Sequence, residues 1–134
     1  MSYHANAEDL VCALWKLEGV QVAFNSGEPL FRLGDTPYHI ILIGKGTLRI
    51  DLNLQRRGID KKKLALLQNR RIWGLQELML KKAFKWTAVS KYPIEGKLIR
   101  GQYFLNQLKK KPMLKFKILT LLSQEVKILT PQYE

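Results

Sequence analysis

The sequence predicts a mainly β domain with flanking helices. Three observations predict it. Between residues 20 and 100, short runs alternate apolar and polar positions and are cut by Gly, Pro, Asn and Asp at intervals of about ten residues. On either side of that stretch, apolar residues recur at helical spacing instead. The chain has 134 residues, enough for one domain with a real core and too few for two. Residues 1–134 are therefore read as a single unit: an N-terminal helix over 7–17, a β region over 20–100 and C-terminal helices over 102–129.

Leu10, Ala13, Leu14 and Leu17 line one side of the first helix, with Asn6 as N-cap, Glu8 and Asp9 in the first turn and Gly19 as C-terminal stop. Val20, Val22 and Phe24 then alternate with Gln21, Ala23 and Asn25. Turn clusters follow at 25–29 and 34–37, and Tyr38 to Ile43 is a short apolar run suited to a buried strand. Leu48, Ile50 and Leu52 alternate with Thr47, Arg49 and Asp51. The polar stretch 53–63 is expected to be a hairpin tip, with Leu64 to Leu67 as the return strand. A short helix is expected near Leu75 to Lys82. Phe84, Trp86 and Ala88 alternate again, and Ile94 to Ile99 is the last strand. Gln102 to Lys109 reads as a helix, and Pro112 suits the first position of another. In that last helix Leu114, Ile118, Leu121 and Leu122 make an apolar stripe, widened by Leu119, Val126 and Leu129. Such regular punctuation suggests an antiparallel sandwich or barrel.

The composition, 46% apolar and 25% charged, excludes a disordered chain, a collagen and a disulfide scaffold. One cysteine, Cys12, cannot form an internal disulfide, so a reducing, cytoplasmic compartment is expected. No apolar run approaches the roughly 20 residues of a membrane span, and no signal peptide is read at the N-terminus. The net charge is +12 and unevenly placed. Lys16 and Arg32 against Glu8, Asp9, Glu18, Glu28 and Asp35 leave residues 1–35 at −3, so the rest carries +15. Such a field suits an acidic protein, a nucleic acid or an anionic surface.

Residues 20–129 resemble the cyclic-nucleotide-binding-type sensor domain of the cyclic-AMP receptor protein/FNR superfamily of bacterial transcription regulators. Gly27-Glu28-Pro29-Leu30-Phe31-Arg32-Leu33-Gly34-Asp35 resembles that family's early turn motif, and Tyr38 to Gly46 its following strand and turn. Trp73-Gly74 stands where the family opens its phosphate cassette, and Thr87-Ala88-Val89 matches the next strand. The resemblance implies a double-stranded β-helix, a jelly-roll-like β-roll, followed by a long C-terminal helix. It further implies a homodimer formed through that helix, with Leu114, Ile118, Leu121, Leu122 and Val126 as the contact. DNA would be read by a helix-turn-helix that follows the helix in the family. This chain stops at Glu134, so the expectation is either an excised sensor half or a protein that works without that module.

The ligand residues depart from the family pattern. The family places a Glu after the cassette glycine, to accept from the ribose hydroxyl, and an Arg eleven residues after it, to pair with the phosphate. Here Gly74 is followed by Leu75, which accepts nothing, and the later position is Lys85, which lacks the planar fork. Glu77 comes two positions late, on another side of a helical turn. Trp86 stands where the family usually has a small residue and is a candidate plug for the pocket. Gly74, Leu75, Glu77, Lys85 and Trp86 thus form a degenerate cassette not expected to bind cyclic AMP, and no cofactor is expected.

No catalytic residues are expected: Ser26, Ser90 and Ser123 lack the local pattern of a nucleophile elbow. His4 and His39 have no partner at metal-ligand spacing, so no metal is expected, and His39 reads as a core residue. Two basic tracts remain, one carrying Arg56, Arg57, Lys61, Lys62, Lys63, Arg70 and Arg71. The other spans 97–117 with Lys109, Lys110 and Lys111 at its centre and not one acid. Tyr103, Phe104 and Phe116, inside the second tract, fall at helical spacing and read as core. The function expected is a regulatory sensor and dimerisation domain, not an enzyme. The alternative is a stand-alone basic module docking on an acidic protein or a nucleic acid, and no membrane partner is expected.

Overall fold

A computed structural model describes residues 3–45, 50–52 and 70–129. In chain order the elements are α1 (Tyr3–Trp15), β1 (Val20–Phe24), β2 (Pro29–Phe31), β3 (His39–Lys45), β4 (Ile50–Leu52), β5 (Ile72–Trp73), α2 (Leu75–Leu80), β6 (Ala88–Ser90), β7 (Ile94–Arg100), α3 (Gly101–Lys110) and α4 (Pro112–Leu129). All strand pairings among them are antiparallel. One sheet runs β1-β7-β3-β5 and the other β2-β6-β4.

Within the larger sheet, β3 is buried on both faces from Ile40 to Ile43, and this is why it reads as an unbroken apolar run. Ile41 and Ile43 face the smaller sheet, in a core shared with Leu30, Phe31, Trp73, Phe84, Ala88 and Ile94. Ile40 and Leu42 face the helices, with Leu10 and Leu14 of α1, Leu75 and Leu78 of α2, Phe104 and Leu108 of α3, and Leu114 and Ile118 of α4. Alternate side chains of one strand therefore feed two cores.

Several expected boundaries move. The first helix starts at Tyr3 and ends at Trp15, so Asn6 lies inside it. Gly19 does not cap it: a Cβ there would meet the Leu98 carbonyl oxygen at 2.5 Å, so this glycine lets the chain enter β1 hard against β7. Phe84 and Trp86 belong to a loop, and only Ala88–Ser90 of that run is strand. Phe116, expected in the core, is 66% exposed. Leu48 and the proposed hairpin over 53–67 lie outside the described residues.

The turn motif has a direct physical reading. Gly34 takes φ 89°, a conformation that suits glycine, and the Asp35 carboxylate accepts the Arg32 backbone N–H at 3.0 Å. The turn so made is stitched to the cassette loop: Gly34 N–H donates to the Phe84 carbonyl at 2.7 Å, and Phe84 N–H to the Asp35 carbonyl at 3.0 Å. Thr87 Oγ1 accepts from Leu33 N–H at 3.0 Å beside them. No helix of the described residues is long and apolar enough to cross a membrane.

Candidate functional site

The short helix α2 packs Leu75 and Leu78 into the helix-side core, and the loop after it sends Phe84 into the core between the sheets. Gly74 precedes α2 with φ 91°, and a Cβ there would meet the His39 carbonyl oxygen at 2.9 Å. Only a glycine lets the chain turn so close to β3. The helix ends on Lys81, also left-handed at φ 56°, and the Glu77 carbonyl accepts the N–H groups of Lys81 and Lys82. That double acceptance turns the chain sharply and delivers Phe84 back between the sheets.

Three aromatic rings occupy that space. Phe31 and Phe84 stack with centroids 4.0 Å apart and planes 13° from parallel, and Trp73 tilts at 46° to Phe31 with centroids 5.9 Å apart. The Trp73 indole N–H donates to the Arg70 carbonyl at 2.8 Å, and the Arg70 guanidinium carbon stands 4.3 Å from the centre of the same ring. Each aromatic contact adds about 0.5–1.5 kcal/mol beyond area burial. The polar edge of Trp73 is satisfied while its body fills the core.

No family model matches the sequence, and no curated protein matches it. Solved structures do. A transcriptional regulator from Thermotoga maritima superposes at TM-score 0.64 and 19% identity, over 84% of this chain and 86% of that one. The sensor domain of the transcriptional regulator DNR from Pseudomonas aeruginosa gives 0.63 and 16%, over 100% of this chain and 95% of that one. The catabolite activator protein of Thermus thermophilus gives 0.63 and 18% over 95% of this chain, which spans 56% of that protein. The fold is that of the cyclic-nucleotide-binding-type domains.

Within that fold, the residues expected to form a degenerate cassette separate. Gly74 opens α2 as the motif requires. Leu75 is 2% exposed and packs in the helix-side core, away from the three rings. A carboxylate at that position would have to be buried in the helix-side core. Glu77 is half-buried in the first turn of α2, where its charge suits the free N–H groups and opposes an incoming anion. Lys85 is exposed, and Trp86 is half-buried and outside both buried cores. The indole between the sheets is that of Trp73, not Trp86. Phe31 and Phe84 were not singled out from sequence: alternation marks a face and not the partner that covers it.

His39 sits half-buried at the start of β3, behind Gly74. Burial pushes its imidazole below the ordinary value, and the Asp35 carboxylate opposes this in part. The native state therefore gives up this proton more readily than the unfolded chain. Stability from neutral His39 is complete above the ordinary imidazole pKa of about 6.5 and is lost as pH falls through the native value. Urea titrations below that pH are expected to show a fall in stability that His39→Gln reduces. Equal slopes in both proteins would remove the assignment.

The dimer contact expected on α4 needs correction. Leu114, Ile118, Leu121 and Leu122 are each 9% exposed or less and pack into the chain's own core with α1, α2 and α3. They are not available to a second copy. The side chain of Val126 lies outside the described residues. Lys109 and Lys110 end α3, where cations complement the helix dipole, and Lys111 follows them; all three are exposed. Arg56, Arg57, Lys61, Lys62 and Lys63 lie outside the described residues. Arg71 is half-buried, with its guanidinium donating to the Ile43 carbonyl at 3.4 Å. Among the described residues no group of three or more His, Cys, Asp or Glu could hold a metal ion.

Proposed function

We propose that this chain is a regulatory sensor-type domain of a cytoplasmic transcription regulator and that it does not respond to cyclic AMP. The fold supports the first part, as does the description of several similar structures as transcriptional regulators or their sensor domains. One observation carries the second: Phe31, Phe84 and Trp73 pack together between the sheets. A nucleotide entering there would have to displace buried aromatic surface and would find no acceptor at Leu75. A sugar hydroxyl buried beside it without a partner costs about 1–3 kcal/mol. In this reading the domain passes on a signal through its helices and catalyses nothing, and sequence-specific DNA contact falls to a separate module.

The test is a titration with cyclic AMP and cyclic GMP, followed by calorimetry and by the fluorescence of Trp73 and Trp86. The expected result is no saturable change up to millimolar nucleotide. Saturable binding at micromolar concentration would show that the aromatic packing opens and that the cassette still works.

A second reading, a basic module that meets an acidic protein or a nucleic acid, draws on the exposed Lys109, Lys110 and Lys111 and on the net charge of +12.

A further inference from the structure

The segment from Arg32 to His39 runs alongside the segment from Gly74 to Thr87, and contacts fix it at both ends. At one end Leu33 N–H donates to Thr87 Oγ1, while Gly34 donates to the Phe84 carbonyl and Asp35 accepts from the Phe84 N–H. At the other end a Cβ on Gly74 would meet the His39 carbonyl oxygen at 2.9 Å, and the Tyr38 carbonyl accepts Gly101 N–H at 2.7 Å. Backbone held at so many points presents its outward side chains at little ordering cost to a partner.

Those side chains are of two kinds. Tyr38, Leu33 and Leu80 are 73%, 55% and 42% exposed, whereas Leu75 and Leu78 of the same two segments are buried. Arg32, Lys81, Lys82 and Lys85 stand on the same segments, all exposed. The acids there are Asp35 and the half-buried Glu77, so the surface is positive. A duplex nucleic acid would meet the cations and leave Leu33 and Leu80 in water. An anionic bilayer takes up apolar and basic side chains whatever their arrangement and gains nothing from a fixed backbone. A protein segment with apolar residues among Asp and Glu uses the apolar side chains, the cations and the fixed shape together.

We propose that this surface, where the turn before β3 meets the loop after α2, docks an acidic, apolar segment of a partner protein. Tyr38 is the anchor: its ring offers a large contact area and has little side-chain freedom to lose. Leu33 and Leu80 widen the apolar contact. Arg32, Lys82 and Lys85 select an acidic guest and raise the rate of encounter. These side chains are exposed while the rings between the sheets are buried, so nucleotide binding between the sheets, if found, leaves the docking surface standing.

The experiment uses the full chain and a phage-displayed library of random peptides about twelve residues long, enough to span the surface when extended. Enriched peptides are made with a fluorescein label, and anisotropy is read at about 50 mM and about 500 mM salt, where screening of exposed charge differs strongly. The expected result is enrichment of peptides that combine Asp and Glu with Leu, Phe or Trp and that bind at micromolar concentration. Binding should weaken about tenfold with salt and at least tenfold in Tyr38→Ala with Leu33→Ser. Lys82→Glu with Lys85→Glu should weaken it at low salt only. Lys109→Glu with Lys110→Glu removes as much charge elsewhere and should change it by less than about twofold. Because all these side chains are exposed, circular dichroism and melting of the variants should match the parent. Duplex DNA and phosphatidylglycerol vesicles serve as competitors, and tighter binding of either would overturn the proposal. So would the absence of enrichment, enriched peptides without acids, or binding that the Tyr38 and Leu33 changes leave intact. An equal loss in the Lys109 and Lys110 variant, or a dimer in sedimentation that Leu33→Ser dissociates, would overturn it too.

Discussion

Trp73→Ala is expected to cost about 3–5 kcal/mol of stability, the range for truncating a buried aromatic side chain. The indole is 1% exposed, holds a hydrogen bond to the Arg70 carbonyl and supports Phe31, which in turn stacks on Phe84. The variant loses the transfer free energy of the ring, the contacts on both sides and the partner of a carbonyl. In a domain of this size the melting temperature should fall by on the order of 10 °C. Urea denaturation followed by far-ultraviolet circular dichroism measures the loss. A cost below about 1 kcal/mol would mean that the space between the sheets is not packed around this ring. The same variant probes function, because it opens room where a nucleotide would sit. If the missing acceptor at Leu75 matters as well as the missing space, Trp73→Ala alone should not restore cyclic AMP binding.

Leu121→Asp should unfold the chain rather than separate two copies of it. Leu121 is 7% exposed, within the core that joins α4 to α1, α2 and α3. Removing a buried leucine costs about 2–5 kcal/mol, and an aspartate left there without a partner adds the penalty of burying charge. A loss of at least about 4 kcal/mol is expected, which many domains of this size do not survive. Phe116→Asp is the matched control, one and a half turns away on the exposed side, and should leave the melting temperature nearly unchanged. A Leu121→Asp protein that melts like its parent would place the stripe outside the core.

The two substitutions mark what could be read before the fold was known. Period-two alternation placed a strand near β1, the run Ile94 to Ile99 placed β7, and Pro112 with the stripe behind it placed α4. The motif through Gly34 and Asp35 was legible because its chemistry is local: a left-handed glycine and a carboxylate closing a turn on its own backbone. Gly74 was found through the resemblance to the family's cassette, and the departures at Leu75 and Lys85 were visible as letters. The roles of Leu121 and Phe116 were not. Both lie on apolar stretches of one helix, and periodicity states which residues share a side without stating what covers it.

The sequence by itself determined the helices at both ends, strands at β1, β3 and β7, the turns that need glycine, the basic charge and the residue types at positions 75 and 85. All of these depend on neighbours within a few positions or on simple counting. Only the tertiary structure decided that Trp73 and not Trp86 lies between the sheets, that a loop residue, Phe84, completes the stack, and that α4 turns Leu121 inward and Phe116 outward. Those outcomes follow from contacts between residues far apart in the chain, as in the pairing of Phe84 with Asp35 and Phe31 and the packing of α4 on α1. They are fixed by competition among apolar surfaces for the same space, which no local pattern records.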